Sequence, residues 1–252
     1  MYDIVFISFN EPDADSRYSI LVKRVLKLKN GIHRVHGVNG IHQAHIAAAK
    51  LVRTKMFWVI DADADILPNF KFDIDLDPSE EDIVHVWRSI NPINGLEYGY
   101  GGVKLLPTGL TRSMDVTNPD MTTSISSRFK AMETVSNITA FNTDPLSTWR
   151  SAFRECAKLA SKSISGQEDT ETEYRLKVWT HTGGDKPFGE YAKGGASAGE
   201  WFGKTYKDNK EMLAKINDYT WLEYEFNGHV KMFPPETFKG DWPLEEKSQQ
   251  SL

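Results

Sequence analysis

Apolar and polar positions follow a regular order over the first sixty residues of the chain. Apolar runs at residues 4–9, 32–38 and 56–60 are rich in β-branched and aromatic side chains, which predicts three buried strands. Residues 16–29 and 41–53 place their apolar side chains mostly on one helical face, which predicts two helices. Strands and helices therefore alternate, and the right-handed crossover rule favours an α/β fold with a mostly parallel central sheet.

The pattern beyond residue 65 predicts fewer elements. Residues 70–76 alternate apolar and acidic positions, which is typical of an edge strand with one solvated face. Asp144 followed by Pro145 has the residue types of a helix N-cap and first turn, so we expect a helix to begin there. The remaining expectations are strands at residues 83–87 and 102–106, loops with some strand over 108–142, and a helix over 209–216.

Composition narrows the class of protein. The 252 residues are 40% hydrophobic and 26% charged, which is typical of a soluble globular chain and favours one large domain. The lone cysteine, Cys156, excludes an internal disulfide and a thiolate-cage zinc site. The N-terminus lacks the features of a signal peptide, and no apolar run approaches the ~20 residues that span a bilayer. We expect a cytoplasmic protein that is not inserted in a membrane.

The distribution of charge matters more than its total. A formal net charge of −5 by itself disfavours a nucleic-acid partner, because Lys and Arg supply most of the affinity for phosphate. Residues 61–82, however, contain nine acidic residues and one base and so carry −8, which leaves +3 on the rest of the chain. A polyanionic partner is therefore not excluded. The candidate members of a basic surface are Arg112, Arg128, Lys130, Arg150 and Arg154, although scattered surface bases are the common case.

The strongest chemical signal is a run of alternating acids at the end of the predicted strand 56–60. Asp61, Asp63 and Asp65 point to one side in extended backbone, where their repulsion is costly unless a cation binds there. Mg²⁺ and Mn²⁺ suit such hard oxygen ligands and retain positions for phosphate oxygens. We therefore expect Asp61 and Asp63 to ligate a metal, with Asp65 behind them. The alternative is a solvated acidic turn.

The order of elements around these acids resembles a known family. A first strand that ends in Asn10-Glu11 and a later apolar strand that ends in Asp61-x-Asp63 resemble nucleotide-sugar-dependent glycosyltransferases of the A-type fold, over residues 2–107. Residues 36–66 more narrowly resemble small tailed-phage glycosyltransferases. The segments that carry this likeness are His36-Gly37-Val38-Asn39-Gly40-Ile41-His42-Gln43-Ala44-His45 and Phe57-Trp58-Val59-Ile60-Asp61-Ala62-Asp63.

The resemblance implies a fold, a reaction and a division of the chain. It implies a single Rossmann-like domain with a donor-binding half at residues 1–107, an acceptor-side half at 108–240 that completes the active site, and a polar tail at 241–252. The implied reaction moves a sugar from a nucleotide diphosphate sugar, with UDP expected as the nucleotide and with Mn²⁺ or Mg²⁺ as the metal. Some of the phage enzymes are implicated in sugar transfer, including arabinosyl transfer, to hydroxymethylated cytosine. The implied acceptor is then double-stranded DNA containing hydroxymethylcytosine, in a host cytoplasm.

The resemblance also assigns residues to the donor site. Asp61 and Asp63 are expected to hold the metal on the diphosphate, and Asp61 to contact the ribose or sugar. Phe9, Asn10 and Glu11, at the end of the first strand, are expected to line the nucleobase and ribose pocket, with a plain turn as the alternative. His181 is expected as a third metal ligand, because such transferases often recruit one from near the C-terminus.

Two further groups are candidates for donor binding from their own chemistry. His42 and His45 share one face near the start of a predicted helix, where an anion such as the diphosphate is favoured; packing or surface histidines are the alternative. In the segment 98–104, Gly101 and Gly102 permit close approach to a sugar and Lys104 is placed to meet phosphate. The alternative there is a tight turn between strands.

The catalytic base and the class of protein have more than one interpretation. An inverting transferase needs a carboxylate to take the acceptor proton, for which Asp144 and Asp185 are candidates, followed by Glu190 and Glu200 in a glycine-rich stretch. Asp144 also suits a helix cap. The alternative functions are glycosyl transfer to a glycan or small molecule, an aspartyl-nucleophile phosphatase, a metal-dependent nucleotidyltransferase, and a nucleotide- or cation-binding module without turnover. The stereochemistry and the oligomeric state are not predicted.

Overall fold

The computed structural model of the chain describes residues 1–26, 31–118, 120–164 and 167–235. The chain divides into two compact units, Met1–Phe141 and Asn142–Leu252. The sheet of the first unit extends beyond residue 107, the boundary that the sequence suggested between two functional halves. Those halves stay predictions, and the polar tail at 241–252 lies outside the described residues.

The first unit is α/β, as expected. Its described strands are β1 (Asp3–Ser8), β2 (Ile32–His36), β3 (Met56–Asp61), β4 (Ala64–Ile66), β5 (Val84–Ile90), β6 (Glu97–Pro107) and β7 (Phe129–Thr139). Its described helices are α1 (Ala14–Val25), α2 (Ile41–Leu51), α3 (Thr108–Arg112) and α4 (Met121–Ile125), with a 3-10 turn at Pro78–Glu80. The last two helices and β7 occupy the stretch that was expected to be loops with some strand.

The seven described strands form one mixed sheet in the order β2-β1-β3-β6-β5-β7-β4. The pairs β1–β2, β1–β3 and β5–β7 are parallel, and the pairs β3–β6, β5–β6 and β4–β7 are antiparallel. The expected mostly parallel sheet is therefore mixed. Five strands nevertheless run in one direction against β6 and β4, so the carboxyl ends of β1, β2, β3, β5 and β7 meet at one edge. Ligands of open α/β sheets bind at such an edge.

Apolar side chains fill both faces of this sheet. Side chains alternate along a strand, so Trp58 and Ile60 pack on the α1 face while Phe57 and Val59 pack on the α2 face. All four are buried. The continuous apolar run of β3 thus reflects burial on both sides, which is what the sequence indicated for a central strand.

The edge strand expected at residues 70–76 is wrong, because this segment pairs with no other strand. Phe70 and Phe72 instead pack edge-on against Trp58, with ring centroids 6.1 and 5.4 Å from the indole. Ile74 and Leu76 continue along the same apolar cluster. The apolar positions alternate with acidic ones because this extended segment packs one side against the core and exposes the other to solvent.

The second unit is helical over its described residues. It contains α5 (Pro145–Ser161), α6 (Asp169–His181), α7 (Gly189–Tyr206), α8 (Lys210–Ala214) and α9 (Tyr219–Met232), with a 3-10 turn at Lys215–Asn217. Asp144 caps α5 by accepting a hydrogen bond from the Ser147 amide at 2.8 Å, which confirms the predicted start of that helix. No described helix has both the length and the apolar character needed to cross a membrane.

Helix α7 shows why the glycine-rich stretch was not recognised as a helix. A Cβ at Gly195 or Gly199 would lie 2.2 Å from the carbonyl oxygen of Trp149 or Phe153. A Cβ at Gly203 would lie 2.4 Å from the carbonyl oxygen of Ala157. Glycine at every fourth position therefore lets the backbones of α7 and α5 touch, and this packing outweighs the low helix propensity of glycine.

This contact predicts different effects for two glycine-to-alanine substitutions. We expect Gly199→Ala to lower the free energy of unfolding by about 1–3 kcal/mol, because the methyl group overlaps the α5 backbone. The matched control Gly228→Ala, on an exposed part of α9 with open space, should be neutral or stabilising by up to about 1 kcal/mol. Urea unfolding followed by circular dichroism measures both changes. Equal effects of the two substitutions would contradict the close contact.

Candidate functional site

The acids Asp61 and Asp63 lie at the sheet edge where the five strand ends meet. Asp61 is the last residue of β3 and is in register with Ile7 of β1. A two-residue turn at Ala62 and Asp63 then leads into β4. Backbone hydrogen bonds hold the turn on both sides, from the Ala62 amide to the Ile7 carbonyl at 2.9 Å and from the Ala140 amide to the Asp63 carbonyl at 2.6 Å. The turn is therefore fixed relative to β1 and to the end of β7.

A buried lysine neutralises the first of these acids. Lys104 of β6 is in register with Val59, so its side chain shares the α2 face with Asp61. Its Nζ lies 2.8 Å from Asp61 Oδ2 and also donates to the Gly101 carbonyl. The Lys104 side chain is only 3% exposed and that of Asp61 is 35% exposed. The expected contact of Lys104 with phosphate stays a prediction, but in this structure its ammonium is bonded to Asp61.

The second acid lies among like charges. Burial, followed by the charges of Asp61 and Glu11, raises the pKa of Asp63 from 3.8 to about 7, while Lys104 opposes the shift. Glu11 itself folds back, and its Oε2 accepts a hydrogen bond from the Phe9 amide at 2.6 Å. The carboxyl groups of Glu11, Asp61 and Asp63 thus lie within range of each other's charge, and Asp63 takes up a proton below about pH 7.

The third acid of the motif points elsewhere. Asp65 lies on β4, is half exposed and forms an ion pair with Arg17 Nε at 2.6 Å. The expectation that all three acids point to one side is therefore wrong, because the turn at residues 62 and 63 interrupts the extended backbone. Its expected place behind Asp61 and Asp63 stays a prediction.

The loop after β1 is at the expected place. Phe9 and Asn10 are exposed and follow Ser8, next to the end of β3. Glu11 is partly buried, and its hydrogen bond to Phe9 gives the loop the geometry of a tight turn. The predicted role of these residues in a nucleobase pocket stays a prediction.

His42 and His45 lie in the first turns of α2, as expected, but both side chains are buried. The His45 Nδ1–H donates to the Ile41 carbonyl at 2.8 Å, which leaves Nε2 as a bare acceptor. Burial, together with the Lys104 charge, lowers the pKa of His45 to about 3, so the ring is neutral. His42 Nε2 lies 3.1 Å from Ser124 Oγ. These contacts favour packing, and they leave His45 no N–H to offer a diphosphate.

Gly101 and Gly102 belong to β6 and not to a loop. Gly101 has a φ of 85° and directs its carbonyl to Lys104, a conformation that favours glycine. A Cβ at Gly102 would lie 2.7 Å from Nδ2 of the buried Asn137 on β7. The space beside Gly102 is therefore occupied by Asn137, whereas the sequence suggested that a sugar approaches it.

The predicted residues of the second unit are described within that unit alone. His181 ends α6, and its Nδ1 lies 3.0 Å from the Lys177 carbonyl. Asp185 lies between α6 and α7 with a side chain 76% exposed. Partial burial raises the pKa of Asp144, but hydrogen bonds from Ser147 and Thr143 and the charge of Arg150 outweigh it and hold that pKa below its usual value. Glu190 and Glu200 form ion pairs within α7.

The five side chains of the candidate basic surface each make a contact within the chain. Arg112 donates to the Ala49 and Val52 carbonyls at the end of α2. Arg128 and Lys130 form ion pairs with Asp82 and Glu80. In the second unit, the guanidinium groups of Arg150 and Arg154 lie over the Tyr219 ring, 4.4 and 5.4 Å from its centroid.

The donor set at the end of β3 fits a divalent cation that also binds phosphate. The described residues contain no group of three or more His, Cys, Asp or Glu side chains arranged for a metal ion. Mg²⁺ typically takes one or two carboxylates and completes its shell with water and substrate phosphates, a demand that Asp61 and Asp63 meet. His181 as a further ligand stays a prediction.

Two residues of this site were not recognised in the sequence with their present roles. Lys104 is the lone charge in the apolar run 103–106, and a lone charge in a buried strand indicates a buried partner. Arg17 lies on the polar side of α1, where nothing in the local pattern separates it from other surface bases. Its contact with Asp65 depends on how α1 packs beside the end of β3.

The Lys104–Asp61 pair predicts that Asp61→Asn costs stability. The buried ammonium would lose its counter-charge, which typically costs about 3–5 kcal/mol, and the partial exposure of Asp61 places the loss at the lower end. The double variant Asp61→Asn with Lys104→Met removes both charges and should recover most of it. Chemical unfolding at pH 7 measures the change, with Asp65→Asn as control. A double variant no more stable than Asp61→Asn would contradict the pair.

The raised pKa of Asp63 predicts a stability that falls as the pH rises. Between pH 3.8 and about 7 the folded chain binds more protons at this carboxyl than the unfolded chain, so the free energy of unfolding falls with pH, by at most about 1.4 kcal/mol per unit. Asp63→Asn should therefore be more stable than the wild type at pH 8, by a margin that shrinks towards pH 4. Thermal unfolding across this range tests it, and a margin independent of pH would contradict the assignment.

Comparison with known proteins adds no family to these observations. The sequence matched no protein-family model and no curated protein sequence. A functional conclusion therefore depends on the residues themselves. The described geometry places two carboxyl groups and a buried lysine at the edge where the carboxyl ends of the parallel strands meet.

Proposed function

We propose that the chain is a metal-dependent glycosyltransferase that moves a sugar from a nucleotide diphosphate sugar, a UDP-sugar in the first instance, to an acceptor hydroxyl. The observation that carries the proposal is the placement of Asp61 and Asp63 at the carboxyl end of the central strand β3. The resemblance of residues 2–107 to A-type glycosyltransferases supports the same conclusion.

Asp61 and Asp63 are the residues that would hold Mn²⁺ or Mg²⁺. When bound, the metal neutralises the negative charge that develops on the leaving nucleotide diphosphate. Lys104 keeps Asp61 oriented through its Nζ–Oδ2 contact. Phe9, Asn10 and Glu11 are the residues we assign to the nucleobase and ribose, because they follow the neighbouring strand at the same edge.

The acceptor side of the reaction comprises a catalytic base and an acceptor hydroxyl. Of the four carboxylates considered as base, Asp144 is a weak candidate, because its hydrogen bonds hold its pKa below the usual value. Asp185 stays a candidate, with a side chain that is 76% exposed and lies 3.5 Å from Lys186 Nζ. For the acceptor we propose hydroxymethylcytosine in double-stranded DNA, with arabinose or glucose as the sugar, on the likeness of residues 36–66 to phage enzymes. A glycan or small molecule is the alternative acceptor.

One observation favours a second candidate, an aspartyl-nucleophile phosphatase. In such a reaction one aspartate attacks phosphorus and a neighbouring acid protonates the leaving oxygen. Asp61, oriented by Lys104, and Asp63, with a pKa of about 7, have the properties that these two roles require. The motif lies on the third strand here, however, whereas that class usually carries it on the first.

Calorimetry and product analysis on the full chain test the proposed function. We expect UDP to bind only in the presence of Mn²⁺, and Asp63→Asn to abolish that binding while the chain stays folded. The control is Asp73→Asn, which removes an exposed acid of the segment 70–76 that has no assigned role in the site. UDP binding by Asp61→Asn is compared with that of the double variant Asp61→Asn with Lys104→Met, because Asp61→Asn alone also destabilises the chain.

Mass spectrometry then identifies the chemistry. Hydroxymethylated DNA incubated with the enzyme and a panel of UDP-sugars should gain the mass of one sugar per modified base. A gain on a glycan acceptor alone would retain the transferase and replace the DNA. Release of inorganic phosphate from phosphate monoesters, lost in Asp61→Asn and without sugar transfer, would favour the phosphatase. UDP binding that is absent or independent of metal would count against the proposal.

A further inference from the structure

Arg17 is bonded to both of the loops that carry the acids of this site. Its Nη1 donates to the Pro12 carbonyl at 2.9 Å, in the loop between β1 and α1. The same nitrogen donates to the Ala62 carbonyl at 3.3 Å, in the turn between β3 and β4. Its Nε donates to Asp65 Oδ1 at 2.6 Å on β4. One guanidinium thus connects the loop after β1 with the turn after β3 and the β4 strand that follows this turn.

The charges at this edge explain why such a connection is needed. Glu11 lies in the loop between β1 and α1, and Asp63 lies in the turn between β3 and β4. Carboxylates brought to one sheet edge repel each other, so the two segments need a contact that joins them. Lys104 lies beneath Asp61 on β6 and binds neither the Pro12 nor the Ala62 carbonyl. Arg17 does bind both of these carbonyl groups.

The guanidinium is suited to this task by its shape. It is planar, permanently charged and carries five N–H donors in a fixed fork, so it can bind two carbonyls and a carboxylate at once. The Arg17 side chain is only 17% exposed, which limits competition from water. A lysine at this position has a single ammonium on a flexible stem and cannot reproduce the three contacts in one geometry.

We propose that Arg17 is a positioning residue for the cation site. It holds the turn after β3 against the loop after β1 and so fixes where the Asp63 carboxyl lies beside Asp61. This inference rests on the proposed function, since it concerns the same site. Arg17 does not ligate the cation. It acts through the Ala62 carbonyl and Asp65, whose positions determine where the Asp63 side chain lies.

Manganese titration of the full chain without nucleotide, read by electron paramagnetic resonance, tests the effect on the cation. We expect Arg17→Met to weaken Mn²⁺ binding about 10–100-fold, the usual cost of losing a residue that orients metal ligands. Arg17→Lys should lie in between. The matched control is Arg34→Met, because Arg34 is similarly buried and binds Ser8 and Asp15 at the same edge without touching the β3–β4 turn.

Substitutions at Asp65 test how much of the effect of Arg17 depends on its contact with Asp65. Asp65→Asn keeps an oxygen acceptor for Arg17 and should bind Mn²⁺ nearly as well as the wild type, whereas Asp65→Ala should bind it more weakly. The effects of Arg17→Met and Asp65→Ala should then be less than additive, because both act through one contact. Wild-type affinity in Arg17→Met, or an equal loss in Arg34→Met, would overturn the proposal.

Amide hydrogen exchange in the metal-free chain gives a readout that does not depend on the proposed function. In Arg17→Met the amides of Ala62 and Ala140, which hold the turn, should exchange faster, while the Thr108 amide at the other end of β3 should not change. If the wild type binds no Mn²⁺, the proposed function fails and this exchange alone decides the role of Arg17. Unchanged exchange at Ala62 and Ala140 would then overturn it.

Discussion

Repulsion between carboxyl groups at the end of β3 is the constraint on which the sheet edge of the first unit depends. Asp61 and Asp63 lie within reach of each other's charge, with Glu11 beside them. The structure opposes this repulsion by a buried ammonium at Asp61 and a proton on Asp63. Both arrangements cost stability in isolation, which is a common property of sites that are organised for a ligand.

The first five elements of the fold were predictable because each is recorded in a local pattern. The runs at β1, β2 and β3 and the stripes of α1 and α2 need only their own residues to be recognised. The segment 70–76 was assigned wrongly because pairing depends on a partner strand that no local pattern contains. Helix α7 was missed because its glycines look unfavourable until α5 is placed against them.

The candidate site was predictable to the same extent. Asp61 and Asp63 follow an apolar strand, and strand ends in an α/β sheet share an edge, so their location came from chain order alone. Chain order does not show which other residues contact these acids, although Lys104 was already a donor-site candidate from its own segment. Lys104 reaches Asp61 from the neighbouring antiparallel strand β6, and Arg17 reaches Asp65 from helix α1. The turn that redirects Asp65 has only two residues, and no local pattern predicted it.

The contact between Gly102 and Asn137 ties two positions that are far apart in the chain. The amide of Asn137 fills the volume that a side chain at 102 would need, and its Oδ1 accepts a hydrogen bond from Ser136 Oγ at 2.7 Å. Side-chain volume at 102 can therefore increase only if it decreases at 137. The sizes of the side chains at positions 102 and 137 therefore depend on each other, so a redesign of β6 or β7 would have to choose both residues together.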